Sequence, residues 1–477
     1  MIERIWLYPP LAFARLGPSP EPCENYRYGD SDLSPRGTGK TVVLPEPSLH
    51  VATDGTLTET QPQGNRVRFK DPEDSENADD SAKSFRPICP FFEVHGTWTI
   101  DGQRHSGAIT TKELDAFDLT PGNVQWTVEV ANLKAHHCTG ALGDRIEAKV
   151  EILGNQHTRH PLRGRSPRGA AQRLVPQGQH VPLGSVQIPR PSAAFPELRL
   201  RFTPAAGLVY GPTNLLQRTD RYPLPSERLI LSPNSPWCSF TGADDPRTVP
   251  GGLFAGADVN VDGGVSFGLV DDVCDGLVTV EVGGLTAHAR VVVTPPDFAP
   301  DRRPFTSLAD GLMDRVRRAE VQDPAYVSQD PRMTALEVRD LFERVLEAMD
   351  AVNVDAQNER AGAFENVSLG LTEAQGRARM FPVPEALDGV TLPLTERGRR
   401  KHRRFVALEV LEDMIREQPN LIERFIRNPY AEPDRFDLRM PVAVRGSDGL
   451  PMHLTRRQYD LLVAWANSLR ATVEEGT

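Results

Sequence analysis

Five cysteines in 477 residues are few, and Cys23, Cys89, Cys138, Cys238 and Cys274 stand far apart without a CxxC pair. Disulfide-dependent secreted scaffolds carry dense, even-numbered cysteines, so reduced thiols in a cytoplasmic protein are the expectation. Long apolar runs are also missing: none approaches the ~20 residues that span a bilayer, and a membrane protein is not expected. The start does not read as a secretion signal, because Pro9 and Pro10 interrupt the short stretch Ile5-Trp6-Leu7. Positive charge is in deficit as well. With 54 Lys+Arg against 65 Asp+Glu the net charge is -11, which argues against nucleic acid as a partner, since phosphate-tracking proteins need a basic footprint. The one dense basic run, Arg397, Arg399, Arg400, Lys401, Arg403 and Arg404, reads as a solvated helix start or a partner surface.

Common catalytic signatures are lacking too. There is no G-x-S-x-G elbow, no H-E-x-x-H pair and no dinucleotide fingerprint, and Thr38-Gly39-Lys40-Thr41 has no upstream glycine to complete a phosphate loop.

Proline and glycine, by contrast, are plentiful at 42 and 38 residues. Proline breaks helix interiors and central strands, so many short strands joined by turns are expected. Trp126–Ala131, Arg145–Ile152, Leu198–Phe202, Leu277–Val282 and Ala289–Val293 are alternating or β-branched runs of that kind. Asp101-Gly102 and Pro121-Gly122-Asn123 supply turns between strands. Residues 71–84, acidic and polar, and 156–179, rich in Arg, Gly, Pro and His, read as long surface loops or partly disordered insertions, with His157 and His160 exposed.

The pattern changes near residue 305. Thr334 and Glu337 have the spacing of a capping box, followed by Leu341, Phe342, Val345, Leu346 and Met349 at helical intervals. Phe405, Leu408, Leu411, Met414 and Ile415 mark a second amphipathic segment, and a third begins after Pro419. A last helix starts at a Thr455/Gln458 capping box and gathers Leu461, Leu462, Trp465 and Leu469 on one face. The expected fold class is therefore α+β: a β-rich body over 1–304 with sandwich-like antiparallel sheets, then a helical region over 305–477.

Two sets of side chains invite a metal reading. On a strand His136 and Cys138 share a face while His137 does not, but a zinc site needs three or four ligands and no second cluster completes this one. Asp258, Asp262, Asp271, Asp272 and Asp275 are hard oxygen donors, yet their spacing is not that of an EF-hand loop, and solvated turns are the default.

Four segments, taken in order, are Ile5–Ser19 with its Ala14-Arg15-Leu16-Gly17 turn, Val124–Ala135, the stretch from Asp271-Asp272-Val273-Cys274-Asp275-Gly276 to Val291–Pro300, and Met440-Pro441 followed by Leu454–Ala466. Together they resemble the L-lysine 6-oxidase-like family of cysteine tryptophylquinone proteins. The resemblance implies an amine oxidase whose tryptophan, Trp465 by motif position, becomes a quinone cross-linked to a cysteine, with an aspartate as base. Tyr459 lies at the edge of the same helical face. The implied partners are a flavoprotein that matures the cofactor or a paralogous subunit; a homo-oligomer is left open. The chain departs from the family in that no cysteine follows Cys274 and no Asp-x-x-x-Cys arrangement occurs, so neither a catalytic aspartate nor the cofactor carries over. Asn467-Ser468-Leu469 also replaces the Gly-x-Phe ending. The expectation is a non-catalytic binding or accessory protein, with Trp465 as a core residue; the alternative is an oxidoreductase using a group derived from Trp465, a metal or a partner's cofactor.

Overall fold

The structure is a computed structural model. It describes all residues except 30–42, 72–84, 135, 137–141, 171–172, 176, 208, 213–228, 233–256, 259–264, 267–269, 296–301, 324, 351–412, 419, 433–438, 442–443, 446–449 and 475–477. The chain divides into two compact units, one built from Met1–Arg27 and Leu44–Phe298 and the other from Tyr28–Val43 and Ala299–Thr477.

Strands β1 (Ile2–Tyr8), β2 (Leu11–Arg15), β3 (Tyr26–Tyr28), β4 (Val43–Pro45), β5 (Ser48–Val51), β6 (Leu57–Thr60), β7 (Phe91–Ile100), β8 (Gln103–Ala108), β9 (Gln125–Asn132), β10 (Ile146–Leu153), β11 (His160–Gly164), β12 (Val181–Gln187) and β13 (Arg199–Thr203) lie in the first unit, except that Tyr28 and Val43 at the ends of β3 and β4 group with the second. Short pairings follow in β14 (Val209–Pro212), β15 (Leu229–Ser232), β16 (Ala257–Asp258), β17 (Val265–Ser266) and β18 (Val270–Asp271), then the long hairpin β19 (Asp275–Val282) and β20 (Leu285–Thr294). One sheet runs β1-β7-β13-β12-β11, with β8 also on β7; the other runs β10-β9-β19-β20-β2. Pairing in both is antiparallel except β2 beside β20, which is parallel.

Alternation explains the packing. Phe92, Val94 and Trp98 of β7 and Trp126, Val128 and Val130 of β9 point inward, joined by Val278, Val280, Val291 and Val293 in a single core fed by both sheets. Side chains two apart on a strand share a face, so each alternating run offers one wholly apolar surface to the other sheet. The expected turn at Asp101-Gly102 closes the β7–β8 hairpin with both residues at positive φ, 51° and 76°, as a two-residue hairpin with the right twist requires. Pro121–Asn123 is instead a single 3-10 turn, begun by a Thr120/Asn123 capping box.

The stretch 156–179 is not the surface loop expected. His160–Gly164 forms β11, paired to β12, and Leu162, Leu174 and Val175 are buried in the core. His157 and His160 are half-buried, and His157 bonds the carbonyl of Ile188 at 3.1 Å. Burial of the few apolar residues decides the conformation despite the polar composition around them. Of the other expected loop, only Asp71 lies within the described residues, and it pairs with Arg86 at 2.7 Å.

The second unit holds helices α2 (Leu308–Gln322), α3 (Ala325–Gln329), α4 (Pro331–Asp350), α5 (Leu421–Phe425) and α6 (Arg456–Glu474), and a short pairing of Val444–Arg445 with Leu450–Pro451; helix α1 (Thr111–Ala116) belongs to the first unit. Its core gathers Phe305, Val321, Leu341, Phe342, Val345, Ile415, Leu462 and Trp465. The Thr455/Gln458 capping box starts α6, with Gln458 N–H donating to Thr455 Oγ1 at 3.2 Å and Thr455 N–H to Gln458 Oε1 at 2.9 Å. The expected Thr334/Glu337 box does not form. Asp330 starts the helix instead, accepting the Met333 N–H at 3.0 Å ahead of Pro331 in the first turn, a favoured pairing of cap and first residue. Thr334 lies inside α4 with its hydroxyl on the Asp330 carbonyl, 3.0 Å away. No described helix is long and apolar enough to cross a membrane.

Candidate functional site

Helix α6 carries the site that the sequence singles out. Its apolar face enters the second core, where Leu461, Leu462 and Ala466 are buried and Trp465 is 6% exposed. The next face borders a cavity of about 1410 Å3 within the same unit, and both Trp465 and Tyr459 line it. The far wall comes from the end of α2, from α3 and from Glu423, Asn428, Tyr430 and Arg439. Trp465 is thus a packed indole with one edge on the cavity.

Two clusters hold this wall in place. Asp460 accepts the phenol of Tyr430 at 2.6 Å and the amide of Gln322 at 3.0 Å, and Arg456 lies 4.9 Å from the centre of the Tyr430 ring. On the core side Arg457, 5% exposed, donates to Glu337 and, at 3.1 Å, to the Tyr326 hydroxyl. Its backbone N–H goes to Asp314 Oδ1 at 2.7 Å. Glu337, read from the sequence as a capping residue, is therefore the counter-ion of Arg457.

The phenols around the cavity are acids held neutral. Burial pushes Tyr459 up, helped by Glu423 and Asp460 and opposed by Arg439. Burial also pushes Tyr430 up, with its hydrogen bond to Asp460 adding to the effect. At neutral pH neither is a phenolate nucleophile, and Tyr430 donates its hydrogen bond to Asp460. Asp460 is engaged by two donors, so its geometry is that of a positioning group for Tyr430.

The residues present do not fit cysteine tryptophylquinone. That group needs a thiol beside the indole, and residues 299–477 contain no cysteine. Cys274 is buried in the first core with its thiol 3.5 Å from the Leu183 carbonyl.

Among the described residues the other expected sites are not assembled. His136 is half-buried in the first unit, and Cys138 lies outside the described residues. Among the described residues no group of three or more His, Cys, Asp or Glu is arranged to hold a metal. Asp271, from the acidic run, is a buried structural residue paired with Lys134, and Asp272 accepts the Gly207 N–H at 3.1 Å; Asp262, the basic run 397–404 and Thr38–Thr41 lie outside the described residues. Sequence reasoning did not find Tyr430, Asp460 or Arg457. The signal for Arg457 was its place in the first turn of α6, two positions after the cap, on a face the hydrophobic pattern leaves half-covered.

Three of the four segments on which the expected family resemblance rests are neighbours in one sheet. Arg15 of the first donates to Thr294 Oγ1 of the third at 2.7 Å, and Asn132 of the second donates to the Asp271 carbonyl of the third at 2.8 Å. Gly17 and Gly276 are needed there, because a Cβ would sit 2.6 Å from the Phe85 oxygen and 2.0 Å from the Glu129 oxygen. Compared with known proteins, the chain matches no protein-family profile and no curated protein.

Proposed function

We propose that this chain is a divergent relative of the L-lysine 6-oxidase-like proteins that does not form cysteine tryptophylquinone from its own residues and acts as a non-catalytic binding or accessory protein. One observation carries the reading: Trp465 is packed as a core indole on the wall of a cavity, in a region without a cysteine to cross-link it. At about 1410 Å3 the cavity is larger than the roughly 300–1,000 Å3 of metabolite pockets and has room for a ligand or for side chains of a partner. A cysteine-bearing paralogous subunit is the partner this reading favours.

A second reading is supported by the same cavity. Both Trp465 and Tyr459 border it, which suits an amine oxidoreductase using a tryptophan-derived or partner-supplied group, matured with a flavoprotein. Intact mass and visible absorption of protein from its native host separate the two. The binding or accessory reading expects the mass of the unmodified sequence and no band beyond the protein absorption. Added oxygen mapped to Trp465, with colour, would overturn it in favour of the enzyme.

A further inference from the structure

Strand β13 alternates as its sequence implies: Leu200 and Phe202 enter the core of the first unit, so Arg199 and Arg201 lie on the opposite face. An arginine on an outer sheet face normally ends in water. Arg201 does not; it is 4% exposed. The segment around Cys23, the β5–β6 hairpin and residues 86–91 wall a cleft of about 760 Å3, and Arg201 lines it.

Four guanidinium groups border this cleft. Arg68 pairs with Glu24 at 2.6 Å, Arg86 with Asp71 at 2.7 Å, and Arg199 with Glu93 at 2.6 Å and Glu197 at 3.2 Å. Arg201 has no ion pair among the described residues, and its Nε is buried without a hydrogen-bond partner. Its guanidinium lies 5.9 Å from the centre of the Phe91 ring and adjoins the Cys89 thiol, which burial pushes up and so keeps uncharged. Guanidinium does not shed its proton at any ordinary pH, and a buried charge without a counter-charge is strongly unfavourable. Phe91 quadrupole attraction offsets only a small part of that cost.

We propose that Arg201 anchors a binding site for a small organic monocarboxylate in this cleft. The planar fork of the guanidinium matches a carboxylate, and Phe91 and Phe195 in the same wall offer apolar surface to the body of the ligand. One unmatched cation calls for one negative charge. Glu21, Glu24 and Glu59 also line the cleft, so a dianion such as phosphate is disfavoured. The volume falls in the range of metabolite pockets, roughly 300–1,000 Å3. The site lies wholly in the first unit and is independent of the reading built on Trp465.

The test is a 19F NMR titration of 4-fluorobenzoate with the full chain. Saturable broadening is expected for the wild type, weakened roughly tenfold or more in Arg201→Met, the factor for losing one charge-assisted pair. Without ligand, Arg201→Met is expected to melt no lower than the wild type, because it removes an uncompensated charge; a purely structural arginine would instead lower the melting temperature. Should Arg201→Met fail to fold, Arg201→Lys serves in its place, keeping the charge and losing the fork, again with weaker broadening. The proposal is overturned by the absence of saturable broadening, by unchanged binding to the folded variant, by equal binding of neutral 4-fluorobenzamide, or by displacement of the probe by inorganic phosphate more readily than by acetate.

Discussion

Lys134 and Asp271, 137 residues apart, form an ion pair that links the chain just after β9, in the second sheet, to the end of β18, in a separate small sheet. The carboxylate side chain is 4% exposed and the lysine 40%. Asn132 adds a bond from its amide to Asp271 Oδ1 at 3.2 Å. The burial is unequal, and so are the consequences of breaking the pair. Lys134→Met leaves a buried carboxylate without its counter-ion and is expected to cost about 3 kcal/mol. Asp271→Asn leaves an ammonium that can turn to water, with an expected cost of about 1 kcal/mol. Urea unfolding of both variants checks the order, and a larger loss in Asp271→Asn would refute it.

Acid should weaken the second unit through the start of α2. Burial of Asp310 opposes its ionisation, but hydrogen bonds from Arg344 and Ser307 outweigh it and hold the carboxyl below its ordinary 3.8. A group depressed on folding stabilises the folded state fully above its unfolded value, and that contribution is lost as pH falls through the folded value. Unfolding measured from pH 5 down to pH 2 should show a shallower loss in Asp310→Asn than in the wild type. Asp314, similarly depressed by Arg318 and the Arg457 N–H against its burial, keeps titrating in the variant, so part of the slope remains. Parallel curves would mean that the Asp310 bonds carry no net stability.

Glycine-to-alanine exchanges should have opposite signs at two positions. At Gly276 the new methyl would meet the Glu129 oxygen and Val130 Cα, both backbone atoms of the neighbouring strand. A cost above about 3 kcal/mol is expected because neither atom can give way without separating β9 from β19. At Gly311, inside α2, nothing lies within 4 Å of the added Cβ. There alanine should stabilise by about 0.5–1 kcal/mol through helix propensity. Thermal melts of the two single variants decide both signs.

Trp465 offers a direct measure of how much of the second core rests on one side chain. Replacement by alanine should cost about 3–5 kcal/mol, the range for an aromatic lost from a core. The phenylalanine variant should lose much less, since it keeps most of the apolar volume. Denaturant unfolding of the pair reads the difference; equal losses would mean that the indole edge on the cavity, rather than its packing, sets stability.

The sandwich strands and α6 were legible because each declares itself locally: a period of two in Trp126–Val130, a cap and a 3.6 period from Thr455 to Leu469. Where two local signals compete, pattern alone misleads. Asp330 with Pro331 outbids Thr334 for the start of α4 because an aspartate followed by proline satisfies the first N–H groups at once. Composition misled over 156–179, where three buried aliphatics outweigh the polar majority. The partners of Asp460 and Arg457 could not be read at all: Arg457 meets Glu337 from 120 residues away and Asp460 meets Tyr430 from 30, and charge pairing has no period. Arg201 shows the same limit in reverse. Its alternation correctly puts it on the outer face of β13, but nothing in the alternation tells that distant segments cover that face.

The parallel contact between β2 and β20 sets an order of events during synthesis. Leu11–Arg15 is made well ahead of its sheet partner, residues 285–294: Arg15 precedes its neighbour Thr294 by 279 residues. At roughly 5–20 residues per second the nascent strand waits on the order of 15–60 s for its neighbour. Over that interval β1 can already pair with β7, while Ala12 and Ala14, both buried in the finished core, have no sheet to join. The first unit is therefore a body whose second sheet closes late, with a strand made long before its partner added as its last edge.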